Sequence, residues 1–171
     1  MGLITPNEYD DLRSLYIGQL QYLLSTETQI VKGLESMIEH AQDTQLKQAF
    51  QSHQQETEVQ ADRLRKLLTD LTDDDDDKKD PIMTALISSG VNIVRESSEG
   101  PVRDAGLIAT AQKIEHYEIA SYGSARDWAT ILRLTDHAQV LEKTLEEEKR
   151  TDKLLTSIAQ RENVEAGTVT A

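Results

Sequence analysis

Apolar residues recur at helical spacing along four long stretches of this chain. The first passes through Leu12, Leu15, Tyr16, Leu20, Leu23, Leu24, Ile30, Val31, Leu34 and Ile38, steps that keep one face of a helix apolar. Ahead of it, Thr5 can cap, Pro6 suits a first helical turn and Glu8 completes a capping box. The spacing predicts a helix from about Asn7 to Ala41, on the order of 50 Å long at about 1.5 Å per residue. After the turn Gln42-Asp43-Thr44, a second helix is predicted from about Gln45 to Asp70 on Leu46, Ala49, Phe50, Leu64, Leu67 and Leu68. A third runs from about Val102 to Leu132 on Ala105, Ile108, Ala111, Ile119, Tyr122, Ala129 and Leu132. The fourth, with Thr135 as its cap, carries Ala138, Leu141, Leu145, Leu155, Ile158 and Ala159 to about Gln160.

Between Leu71 and Gly100 the pattern breaks. Asp73 to Asp77 is an unbroken acidic run followed by Lys78 and Lys79, which reads as a solvated loop. Pro81 then opens a short amphipathic helix through Ile82, Leu86, Ile87, Ile93 and Val94, closing before Gly100-Pro101. Residues Arg161 to Ala171 show no periodicity, so a bundle over 1–160 and a disordered tail over 161–171 are expected. Short joins make helices one and two antiparallel, and likewise three and four. Two hairpins with a long crossover between them, itself holding a short helix, define the ferritin-like form of the four-helix bundle. The expected fold is therefore all-α.

Length and composition narrow the functions. At 171 residues one domain with a sizeable core is expected. The net charge of −13 repels phosphate backbones and anionic lipid, which argues against nucleic acid or a membrane as a partner. No run approaches a membrane span, and the start has neither a charged n-region nor an apolar h-region, so the cytoplasm is the expected location. The chain has no cysteine, which removes disulfides, thiol catalysis and thiolate metal sites.

The candidate chemistry lies where the apolar stripes are interrupted. Glu27 sits between Leu24 and Ile30; helix two reads Phe50, His53, Glu56, Gln60, Leu64; helix three reads Ala111, Glu115, Glu118, Ile119; helix four reads Leu145, Glu148, Asp152, Leu155. Each acid falls near the middle of its helix, so antiparallel packing brings all four sets to one level. A lone Glu in a stripe more often reaches water from an edge, its stem packed beneath it. Four at matched depth point instead to a buried ring, which unpaired would cost several kcal/mol per carboxylate. Carboxylates with at most one imidazole suit Fe²⁺ or Mn²⁺, and two ions would offset the cost of grouping the acids. His53 is either a ligand or a hydrogen-bonded core histidine, and Asp152 either a ligand or a partner of one. Tyr22 and Tyr122 can hydrogen-bond ligands, but core packing is the simpler role. Glu142, Glu146, Glu147, His116 and His137 fall off the stripe and read as solvated surface.

The segments LSTETQIVKGLESMIEHA, FQSHQQETE, QKIEHYEIASYGSARDWA and LEKTLEEEKRTDKLL resemble the bacterial YciE/YciF family of ferritin-like proteins. The resemblance covers about Leu12 to Ala159 and implies a ferritin-like bundle, a dimer and a place in stress responses, without an established reaction. More distantly the chain is similar to rubrerythrins and manganese catalases, and Glu27 and Glu115-x-x-Glu118 match acids that serve there. Those families follow their other two acids with a histidine three residues on, whereas Glu56 is followed there by Val59 and Glu148 by Thr151. Here His53 precedes Glu56 and Asp152 lies four residues after Glu148.

The leading expectation is a stress-associated protein with a dinuclear Fe or Mn centre that oxidises Fe²⁺ or consumes peroxide. In it Glu56 and Glu148 bridge or clamp the ions, Glu27 and Glu115 are terminal ligands, and Glu118 is an additional carboxylate. The alternatives are a non-catalytic helical dimer or scaffold with a metal-free polar core, and iron storage in a cage.

Overall fold

The computed structural model describes residues 9–169, and within them the chain forms five helices and no strand. They are α1 (Leu12–His40), α2 (Thr44–Thr72), α3 (Pro81–Glu96), α4 (Pro101–Ile131) and α5 (Thr135–Thr168). The start signal expected at Thr5 to Glu8 lies outside the described residues. Tyr9 and Asp10 are not helical, so α1 begins at Leu12 rather than near Asn7. Asp11 caps it: its carboxylate accepts from the Ser14 backbone N–H at 2.7 Å, while Ser14 Oγ accepts the Asp11 N–H at 3.2 Å. This reciprocal pair satisfies two backbone donors that the first turn leaves free.

Three residues separate α1 from α2, which forces the chain to double back. Asp43 caps α2 through the Leu46 N–H at 2.8 Å. The turn is also held from α4, where buried Asp104 accepts the N–H groups of Gln42 and Asp43 at 2.9 and 2.7 Å. The join from α4 to α5 is equally short, with Arg133 in the left-handed region at φ 60°. Thr135, expected to cap α5, is its first helical residue, and no side-chain cap bond forms there.

Two apolar clusters fill the interior. In one, Ile30, Leu34 and Met37 of α1 meet Leu46 and Phe50 of α2, Leu107 and Ile108 of α4, and Leu155 and Ile158 of α5. In the other, Tyr16, Leu20, Leu23 and Leu24 meet Leu64, Leu67 and Leu68, with Tyr122, Ala125, Leu141 and Leu145. The pairing of early α1 with late α2, and of late α1 with early α2, shows the antiparallel register. Each fully buried Leu, Ile or Phe contributes roughly 1.5–3 kcal/mol. A polar layer lies between the clusters.

The short helix expected after Pro81 is α3, packed on α1 and α4. Asp80 starts it, accepting the N–H groups of Ile82 and Met83 at 2.8 and 3.1 Å. Its other oxygen takes Thr26 Oγ1 of α1 at 2.8 Å and Tyr117 OH of α4 at 2.5 Å. One buried carboxylate thus ties three helices together.

The disordered tail expected from Arg161 is corrected by the fold, because α5 continues to Thr168. Glu162 is buried, and Arg161 pairs with Asp43 at 2.7 Å and donates to Gln45 Oε1 at 3.1 Å. Polar contacts to the α1–α2 corner, rather than an apolar stripe, secure these turns. Among the described residues, no helix is long and apolar enough to cross a membrane.

Candidate metal centre

The polar layer is built from one or two positions per long helix, each flanked by buried apolar turns. His53, Glu115, Glu118 and Glu148 each offer one ligand atom, and these atoms all lie within 4.8 Å of one another. All four side chains are buried, Glu118 and Glu148 completely. They form a group that could hold a metal ion.

Glu27, also fully buried, lies beside them. Tyr122 OH donates to its Oε1, while its Oε2 has no partner. Gln60 Nε2 donates to Glu148 Oε1 and, at 3.2 Å, to Glu147 Oε2. Arg63 donates to Glu147 Oε1 at 3.0 Å and to Thr144 Oγ1 at 3.1 Å. The guanidinium nearest the layer is therefore already committed to Glu147.

The remaining atoms decide what the site can accept. Glu115 Oε2, both oxygens of Glu118, Glu148 Oε2 and both His53 ring nitrogens are buried with no hydrogen-bond partner outside the cluster. The acids can satisfy one another only by holding protons between Glu27 and Glu118 and between Glu115 and Glu148. His53 Nε2 is 3.2 Å from Glu115 Oε1, but the contact lacks hydrogen-bond geometry. Burial, reinforced by the Glu148 charge, holds the Glu27 and Glu115 carboxyls well above the usual range. Burial and then the Glu27 charge do the same to Glu118. Glu148 is pushed up to about 8, chiefly by burial, and burial lowers His53 to about 4. The acids therefore favour their neutral forms and the imidazole is a free base at neutral pH. A divalent cation reverses the preference of the acids, because it supplies the missing partner for oxygens and nitrogen alike. Oxygen donors with one imidazole fit Fe²⁺ or Mn²⁺ in kind.

Two of the expected ligands stand apart from this group. Glu56 is part-exposed and pairs with Arg150 at 3.1 Å. Asp152 lies at the edge, accepting from Gln112 Nε2 at 3.4 Å and facing His116 at 3.5 Å. The buried face of α2 runs His53, Thr57, Gln60, Ala61, Leu64, so the position one residue past Glu56 points inward. Tyr122 is a core residue with a polar task, since its hydroxyl holds Glu27.

His116 and Glu146 are exposed and Glu142 pairs with Arg126 across the surface, as expected. Glu147 and His137, read as solvated, are buried instead, and His137 Nδ1 lies 3.1 Å from Tyr16 OH. The reason is that α5 packs against both α4 and α2, so it buries a wider arc than a single stripe. Asp80 gave no periodic signal because it caps α3 from outside the helix, and Asp104 gave none because its partners are backbone groups of the distant α1–α2 turn.

Comparison with known proteins bears on the family and the fold. Residues 11–167 match the family model described as a domain of unknown function, DUF892. The chain is 36% identical to the Escherichia coli (strain K12) protein YciF over 149 residues, 86% of this chain and 90% of YciF. The crystal structure of the E. coli stress protein YciF superposes with a TM-score of 0.86 at 34% identity, covering 90% of this chain and 98% of that one. YcfI from Rhodopseudomonas palustris, provisionally described as a structural protein, gives a TM-score of 0.84 at 30% identity over 98% of this chain and 100% of that one. A protein from Xanthomonas campestris pv. campestris shares the fold at 19% identity, with a TM-score of 0.72 over 90% of this chain and 94% of that one.

Proposed function

We propose that this chain, which belongs to the DUF892 family, is a ferritin-like four-helix bundle that binds a pair of Fe or Mn ions in its polar layer and serves in stress defence. Two antiparallel helix pairs and a connection containing α3 support the bundle topology. The single observation behind the metal reading is the set of buried carboxylate oxygens and imidazole nitrogens with no partner outside the cluster itself. A protein that gains nothing from ions would be more stable with apolar residues at Glu118 and Glu148. The description of E. coli YciF as a stress protein supports the physiological side.

His53, Glu115, Glu118 and Glu148 would hold the metal, with Glu27 as the further carboxylate for a second ion. When bound, such a pair supplies Lewis acidity and exchanges electrons with Fe²⁺, O₂ or peroxide. The chain's own residues do the positioning. Tyr122 OH holds one oxygen of Glu27 and leaves the other open, while Gln60 does the same for Glu148. The apolar clusters above and below exclude bulk water, which strengthens each charge interaction in the layer. A surface groove between α2 and α5 reaches His53 past Glu56, Arg63 and Arg150, and its charged walls suit a hydrated ion or peroxide. A homodimer is the assembly that the family resemblance implies.

Protein purified without added metal is titrated anaerobically with Fe²⁺ and with Mn²⁺, with elemental analysis of the product. Uptake of about two ions per chain, lost by half or more in Glu118→Gln and kept in Glu146→Ala, is the expected result. No uptake by the wild type would leave the alternative reading, a non-catalytic helical scaffold with a metal-free polar core, which the provisional description of YcfI favours. Stopped-flow mixing of the Fe²⁺-loaded protein with peroxide tests turnover. Oxidation no faster than that of free Fe²⁺ would reject the redox role alone.

A further inference from the structure

A cavity of about 310 Å³ opens between α1 and α3 and ends at His53 and Glu115. Its walls are apolar, with Leu34, Phe50, Ile87, Val94, Ile114 and Leu155 among them. This volume is at the low end of the range for small-molecule sites, roughly 300–1,000 Å³, and such sites share the pattern of apolar walls with a few polar groups. It is about twice the roughly 150 Å³ of an apolar cavity known to take up benzene. Metal binding makes no use of it, because of the metal group only His53 and Glu115 touch it, at its inner end.

The two ends differ in charge. The inner end has neutral buried acids and no lysine or arginine to pair with an anion. At the mouth, the Gln29 side chain is already bonded to Ser25, the Asp80 carbonyl and Thr84. Lys32 is exposed there and has no ion pair among the described residues. It is the cation left over for a ligand.

We propose that the cavity binds an unbranched aliphatic carboxylate of about ten carbons, scaled from benzene in the smaller cavity. The tail points inward toward His53 and Glu115, and the carboxylate stays at Lys32. This ligand would bring its terminal carbons beside the metal centre, and in that respect alone the proposal rests on the reading above. Occupancy of the cavity does not, and it is tested on metal-free protein. The net charge of −13 disfavours an anionic membrane as the source and favours the free acid.

Decanoate and decan-1-ol are titrated by calorimetry into the full chain with EDTA present, below their aggregation limits. Both are expected to bind the wild type. Ala111→Phe, which fills the cavity, and Val91→Trp, which covers its mouth, should weaken both ligands at least about tenfold, a loss of about 1.4 kcal/mol. Val91 is 54% exposed, so that variant remains informative if Ala111→Phe does not fold. Lys32→Glu should weaken decanoate alone, by about threefold or more on the scale of exposed ion pairs. Absence of binding to the wild type, or binding unchanged in both cavity variants, overturns the proposal. A Lys32→Glu variant that treats both ligands alike overturns the placement of the carboxylate. Wild-type protein that binds decanoate but takes up no metal keeps the cavity site and rejects the metal centre; the reverse result rejects the cavity site alone.

Discussion

Glu118 presents two buried oxygens whose only hydrogen-bonding neighbour is the Glu27 carboxyl. In metal-free protein its amide variant stays neutral without holding a proton, so it avoids the cost that burial, and then the charges of Glu27, Glu148 and Glu115, place on ionised Glu118. Glu118→Gln is expected to raise metal-free stability by about 1–3 kcal/mol while reducing metal uptake. Denaturant unfolding in EDTA checks the first effect; a loss of stability would mean that the oxygens have partners beyond Glu27. Tyr122→Phe acts in the opposite sense. It removes the donor to Glu27 and should cost about 1–3 kcal/mol in the same assay. Glu56→Ala should cost under ~1 kcal/mol, because its partner Arg150 is largely exposed and surface ion pairs contribute little. It should also leave metal uptake near that of the wild type, unlike Glu148→Ala. Equal losses of metal from the two would place Glu56 back among the ligands.

At the level of elements, α3 depends on polar and steric fit more than on buried apolar area, since only Met83 and Gly90 of its residues are buried. Asp80→Ala removes a cap and the links to Thr26 and Tyr117, so a loss of about 2–4 kcal/mol is expected. Local hydrogen exchange should rise over 81–96 before the rest of the molecule responds. Gly106 on α4 lies under α3, and a Cβ there would sit 2.6 Å from Ile93 Cγ2. Alanine favours a helix over glycine by about 1 kcal/mol, but overlap of this kind costs about 1–3 kcal/mol. Gly106→Ala should therefore be neutral to destabilising, and adding Ile93→Ala should restore the helix gain. Thermal melts of the single and double variants test this, and a clear gain from the single change would mean that Ile93 moves aside freely.

For the whole molecule, the buried acids set a pH dependence. The four glutamates have folded-state pKa values raised above 4.5, with Glu148 at about 8. From about pH 4.5 upward the unfolded chain releases protons that the folded state keeps, so stability of metal-free protein falls as pH rises toward 8. His53, lowered to about 4, and His137, also lowered by burial, act oppositely but only below about pH 6.5. The decline is thus cleanest between about pH 6.5 and 8 and should reach a few kcal/mol, at about 1.36 kcal/mol per pKa unit for each group. Bound metal needs deprotonated ligands, so loaded protein should show the reverse trend. Melting temperatures in EDTA at pH 6.5 and 8 decide the matter; equal values would sink the buried-acid layer.

Much of this was legible in the chain before folding. Apolar spacing marked all five helices to within a few residues apart from the start of α1 and the end of α5, and join lengths implied which neighbours are antiparallel. The placement of Glu27, Glu115, Glu118 and Glu148 inside apolar stripes was enough to predict a common polar layer, because a helix repeats its faces regularly. Tertiary structure decided the rest. On α2 a difference of about 100° between adjacent residues separated Thr57 from Glu56, and only packing against α5 settled which one turned inward. Glu147 and His137 became buried because two neighbours, not one, cover α5. The last turns of α5 carry no apolar stripe, and their contacts, Arg161 with Asp43 among them, are to the distant α1–α2 corner. The apolar cavity beside His53 exists only where α3 lies across α1 and α4. Periodicity within one helix reports which face is apolar; which neighbour covers that face, and how closely, depends on contacts between residues far apart in the chain.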